Sequence, residues 1–98
     1  MGRLDRILQL DRSLRKFHVY CISDMFLRPV YVGSSIQPAY RHKQHKISSQ
    51  HPALRSWLAI NSYSHTFEVL DSFHTREDML GAEHEYIQYL EPRFNRVW

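Results

Sequence analysis

The sequence predicts a small α+β domain, in which a three-stranded, mainly antiparallel sheet is flanked by helices and an extra helix stands at the N-terminus. Three observations carry that expectation. Two short runs rich in β-branched and aromatic residues, FHVYCI and PVYVG, flank a turn region from Asp24 to Pro29, as in a hairpin. Pro38 and Pro52, residues suited to a first helical turn, each follow a polar break. Between Arg76 and Leu90, the residues Met79, Ala82, Tyr86, Ile87 and Leu90 recur at helical spacing.

In chain order the expected elements are helix, strand, strand, helix, helix, strand, helix. From Arg3 to Lys16, Leu4, Ile7, Leu8 and Leu14 recur near helical spacing with Arg3, Arg6, Arg12, Arg15 and Lys16 between them. This amphipathic basic helix either caps the domain through its leucines, with its arginines solvated, or presents those arginines to a polyanionic partner. The strand Phe17 to Ile22 alternates, with Phe17, Val19 and Cys21 on one face and His18, Tyr20 and Ile22 on the other. Gly33 closes the second strand. A helix from Pro38 to about Lys46 carries Arg41 and His45 on one face, four residues apart.

After the polar stretch SSQHP, a helix over PALRSWLAIN turns Leu54, Trp57, Leu58 and Ile60 toward the core. His51 before it is either a helix cap or a phosphate contact. HTFEVLDSF, from His65 to Phe73, is the third strand, with Phe67, Val69 and Asp71 set against Thr66, Glu68 and Leu70. Thr75 caps the last helix, with Asp78 three residues on in a variant of the capping box. Pro92 stops that helix, and Phe94, Val97 and Trp98 fold back on the core. Glu83 lies in the middle of the helix's apolar stripe. A carboxylate facing inward is costly unless it is paired or holds a cation, so a buried ion pair and a metal ligand both fit.

Composition bounds the reading. The 98 residues, 43% of them hydrophobic, make one domain over residues 17–98 with the helix of residues 1–16 packed on it. No apolar run approaches the roughly 18 residues of a membrane span, and the charged start is neither signal peptide nor anchor. A single cysteine, Cys21, forms no internal disulfide and reads as a small core residue. An intracellular, cytoplasmic setting fits best. The net charge of +3 permits a polyanionic partner, and the positive charge is concentrated in RLDRILQLDRSLRK and PAYRHKQHK. Zinc is disfavoured, since His42, His45 and His51 have no second pair of ligands at structural-zinc spacing.

His18-Val19-Tyr20 and Tyr31-Val32-Gly33, followed by Arg41, His45 and the segment AEHEYIQYLEPRFN with Glu83 and Asn95, fall in order and in register. In these residues the chain resembles the GIY-YIG nuclease family, from Phe17 to Asn95. His18 stands where that family usually has glycine, and Val19 replaces its isoleucine.

The resemblance implies a metal-dependent DNA endonuclease that leaves 5′-phosphate and 3′-hydroxyl ends. Glu83 would hold one divalent cation, Mg²⁺ or Mn²⁺, and Arg41 would grip the scissile phosphate. Tyr20 would activate water with Tyr31 assisting, and His45 would handle protons beside Tyr20. A phenol is a poor base at neutral pH, so Arg41, the metal or a histidine must favour its ionised form. DNA is the expected partner, contacted by Arg41, Lys43 and Lys46. Asn95 would either position backbone near the site, bind DNA, or simply end the C-terminal turn. His18 is either a solvated strand-end residue or an extra phosphate or proton-handling group. A homodimer would cut both strands and a monomer would mainly nick. The competing reading is a DNA-binding or protein-interaction module of the same fold that does not cleave.

Overall fold

The structure is a computed structural model that describes residues 15–47 and 51–95. The expected N-terminal helix lies outside the described residues except at its end, where Arg15 and Lys16 are not helical. The expected packing of Val97 and Trp98 also lies outside them. The described chain is a small α+β domain with elements β1 (Phe17–Ser23), β2 (Pro29–Ser35), α1 (Pro38–Ile47), α2 (Pro52–Ile60), β3 (Thr66–Phe73) and α3 (Arg76–Leu90). Among the described residues, no helix is long and apolar enough to cross a membrane.

β1 is central in a sheet of order β2-β1-β3, and both of its pairings are antiparallel. Its alternation sorts the core into two layers, because Tyr20 and Ile22 face one way while Val19 and Cys21 face the other. On the first face Tyr20, Ile22 and Val30 pack with Leu54 and Leu58 of α2, with Trp57 and Phe94 alongside. On the second, Val19, Cys21 and Val32 pack with Met79 of α3, flanked by Ala82, Tyr86, Ile87 and Leu90. Tyr20, Ile22, Leu54 and Leu58 are almost wholly buried. Each such side chain contributes roughly 1.5–3 kcal/mol by leaving water.

Two bulges decide which side chains reach which layer. In the β1–β2 pairing Ile22 opposes Tyr31 and Ser23 opposes Pro29, so Val30 is the extra residue. Val30 and its neighbour Tyr31 therefore both serve the layer that holds Tyr20. In the β1–β3 pairing Val19 opposes Asp71 and Tyr20 opposes Val69, which makes Leu70 the extra residue. The bulge is where the partial alternation expected for the third strand breaks. Asp71 sits opposite Val19, off the face of Phe67, and Leu70 joins Phe73 in the α3 layer.

The helices begin where side chains satisfy their first amides. Pro52 opens α2, whose Leu54 N–H donates to His51 Nδ1 at 3.3 Å. Thr75 Oγ1 accepts from Asp78 N–H at 3.1 Å at the start of α3. Glu91 ends α3 in the left-handed conformation, with φ 47°, and its N–H returns to Ile87 O. The segment after it runs beside β2, where Phe94 N–H donates to Val30 O at 2.8 Å. Asn95 completes that contact: its Oδ1 accepts from Val32 N–H and its Nδ2 donates to Val32 O at 2.8 Å. One side chain thus satisfies both backbone groups on the outer edge of β2.

Candidate active site

The hairpin and α1 send side chains to one place beside β1. Tyr20 leaves the middle of β1 on the face toward α2, and its hydroxyl lies 2.7 Å from Nε2 of His45 on α1. His45 is the buried polar residue of the described core. Tyr31 reaches the same point from β2, its ring centroid 6.2 Å from that of Tyr20 and 4.9 Å from that of His45, edge-on. Arg41, one turn before His45, places its guanidinium in hydrogen-bonding range of Tyr20 and close enough to act electrostatically on Tyr31. Its Nη1 also donates to Gln44 Oε1 at 3.2 Å. Glu83, half-buried on α3, is near enough that its charge acts on both phenols.

Gly33 makes this convergence possible. A Cβ at position 33 would come within 2.5 Å of Tyr20 Cζ and 2.9 Å of Tyr31 Cε2, so the two rings occupy the space a side chain would need.

Burial sets the electrostatics of the two phenols more than their charged neighbours do. Burial, reinforced by the charges of Tyr31 and Glu83, holds the Tyr20 phenol above its ordinary range, and Arg41 only partly offsets this. Tyr31 is raised as well, first by burial and then by Glu83. With burial outweighing Arg41, both phenols are held in their protonated form. His45 is shifted the other way, down to about 4, because burial and then the charges of Arg41 and His51 disfavour its cation. A neutral imidazole thus stands against a protonated phenol.

The other expected residues are placed as follows. Lys43 and Lys46 are exposed on α1. His18 is opposite Ser35 and Ser72 at the start of β1, with Nδ1 held 2.7 Å from Ser72 Oγ. The Asn95 amide is engaged with the Val32 backbone, between Tyr31 and Gly33. His51 caps α2 and holds Phe94 O through Nε2 at 2.9 Å. Cys21 is buried, and burial raises its thiol, as a core residue requires.

A second histidine pair was not anticipated. His42 on α1 lies flat on Phe67 with ring centroids 4.5 Å apart, and its Nε2 is 2.8 Å from Nε2 of His65. His65 Nδ1 donates to Asn61 O at 2.7 Å, so its Nε2 accepts and His42 Nε2 carries the shared hydrogen. The sequence signal was available only in part: His42 precedes Lys43 on the α1 face that meets β3, but nothing local pairs it with a residue 23 positions on.

Among the described residues, no group of three or more His, Cys, Asp or Glu side chains is arranged to hold a metal ion. The donors at the convergence are instead one carboxylate, Glu83, and the oxygens of Tyr20 and Tyr31. An all-oxygen set with a single carboxylate would suit a hard divalent cation that keeps most of its water. No family model, curated protein or solved structure matches the chain.

Proposed function

We propose that the chain is a metal-dependent DNA endonuclease of the GIY-YIG type, acting at the Tyr20, Tyr31, Arg41, His45 and Glu83 constellation. The observation that carries this reading is the convergence itself. Tyr20, Tyr31, Arg41 and His45 gather from three elements, the charge of Glu83 on a fourth acts on both phenols, and the fold makes room for those phenols by leaving position 33 without a side chain. A purely structural cluster would be served as well by phenylalanines, which need no hydrogen-bond partners.

In this reading Arg41 binds a non-bridging oxygen of the scissile phosphate, its fixed fork matching two oxygens. Glu83 would hold Mg²⁺ or Mn²⁺, and the ion would supply positive charge against the phosphate as negative charge develops there. Tyr20 orients the attacking water. As the water oxygen bonds to phosphorus, its proton passes to Tyr20 Oη while the phenol's own proton moves to His45 Nε2, 2.7 Å away. The bond from phosphorus to the 3′ oxygen breaks, and that oxygen takes a proton from solvent. The relay starts from a protonated Tyr20 and a neutral His45, the forms their surroundings favour, and the proton that His45 takes up passes on to solvent as the site resets. Asn95 keeps the Tyr31–Gly33 backbone in place.

The second reading, a module that binds DNA without cutting it, draws on the same raised phenols, which make poor bases by themselves. Supercoiled plasmid incubated with the protein separates the two. Nicked circles that form with Mg²⁺ and not with EDTA support the enzyme, and intact plasmid under both conditions supports the binding module.

A further inference from the structure

We propose that the outer face of α1 is a platform for unpaired nucleotides, so that the substrate is single-stranded or locally unpaired DNA in preference to continuous duplex. This deepens the nuclease reading and rests on it.

Tyr40, Lys43 and Ile47 are spaced by three and four residues, which aligns them along one side of α1, and Ile36 stands in the turn leading into it. That line is open to solvent: Ile36 is 61% exposed, Tyr40 58% and Ile47 79%, and Lys43 is exposed too. The turn is fixed, since Gln37 N–H donates to Ser35 Oγ and Arg41 N–H to Gln37 O, both at 2.9 Å. A helix this short that gives one whole side to solvent would ordinarily fill it with charge. Here an aromatic ring and two aliphatic side chains stand there instead.

Charge selects the occupant. The sequence of α1, PAYRHKQHKI, has no acidic residue, while Arg41, Lys43 and Lys46 are cationic. This matches a polyanion. A duplex offers two rails of phosphate and hides its base faces, so a surface built for it is lined with cations and hydrogen-bond donors. Three of the four side chains on this line are apolar or aromatic, which fits bases turned toward the protein, with lysines reaching the backbone between them. Tyr40 is adjacent in sequence to Arg41, the residue assigned to the scissile phosphate. A base stacked on Tyr40 would belong to a nucleotide next to the cut.

The test uses fluorescein-labelled DNA, as a single strand and as the same sequence in duplex, titrated with full-length protein in EDTA so that binding alone is read. The wild type is expected to bind the single strand more tightly. Tyr40→Ala should weaken that binding about tenfold, the loss of one base stack, and change duplex binding less than about twofold. Tyr40→Phe, which keeps the ring, should bind like the wild type. A wild type that prefers duplex, or a Tyr40→Ala that weakens both forms equally or neither, overturns the platform. Absence of Mg²⁺-dependent cleavage by the wild type would instead overturn the nuclease reading, and the binding comparison would still decide whether Tyr40 stacks on bases.

Discussion

The Tyr20 hydroxyl and His45 Nε2 stand 2.7 Å apart in the interior, the first on the central strand and the second on the helix that follows the hairpin. The contact joins a phenol whose proton is hard to remove to an imidazole that is neutral at physiological pH. Tyr20→Phe removes the proton carrier and keeps the packing. Its cleavage rate is expected to fall at least about a hundredfold, the usual range for a general acid–base group. Its stability in urea should fall by no more than about 1–3 kcal/mol, from the unpartnered His45. A rate within a few-fold of wild type would remove Tyr20 from the chemistry.

Gly33 is needed for space, not for an unusual backbone angle. Its φ is not positive, yet a Cβ there would run into Tyr20 and Tyr31. Gly33→Ala is expected to displace both rings, to lower the unfolding free energy by about 1–3 kcal/mol, and to lose cleavage. Full activity and unchanged stability in this variant would mean that the rings are not confined as described.

Acid should destabilise the fold through its histidines. His45 and His42 are each held down to about 4, against about 6.5 in an unfolded chain. For His42 the cause is burial, then the charges of His65, Lys46 and His45. Over that interval the unfolded state binds more protons than the native state. Stability is therefore complete above pH 6.5 and declines as pH falls toward 4. Thermal melting across pH 4 to 8 tests this. His42→Phe, which keeps the stack on Phe67 but cannot take a proton, should flatten part of the slope. A melting temperature independent of pH in that interval would contradict the neutral pairs.

Asn95 acts on the backbone. Removing its side chain leaves Val32 N–H and C=O without their partner at the edge of β2. Asn95→Ala should cost about 1–3 kcal/mol in urea unfolding. It should leave the salt dependence of DNA binding unchanged, since no phosphate contact is lost. A reduced salt slope would assign Asn95 to the nucleic acid after all.

These residues also show how far the sequence could be read. The strand and helix order was legible because β1 alternates cleanly, and because Pro38, Pro52 and Thr75 mark helix starts by local chemistry that needs no tertiary context. Arg41 and His45 could be placed on one side of a helix by spacing alone. The bulges at Val30 and Leu70 could not be read, because a bulge is set by how two strands fit and neither position carries a glycine to announce it. The His42–His65 pair depends on β3 crossing beside α1, a non-local outcome. The raised Tyr20 phenol escaped for a related reason: spacing brings charges together, but only the packed core says how much water is left to support them. The hydrogen bonds of Asn95 to Val32 join residues 63 positions apart, which no local pattern announces.

The central claim is that a half-buried carboxylate from α3 completes a hydrolytic site made by the hairpin and α1. Its most direct test is plasmid nicking in Mg²⁺ by Glu83→Gln beside wild type, with DNA affinity followed by fluorescence anisotropy. Glutamine keeps the shape and removes the charge that would hold the cation. The expected result is loss of nicking by at least about a hundredfold with binding retained. Wild-type nicking by Glu83→Gln would contradict the assignment of Glu83 and, with it, the proposed chemistry of the site.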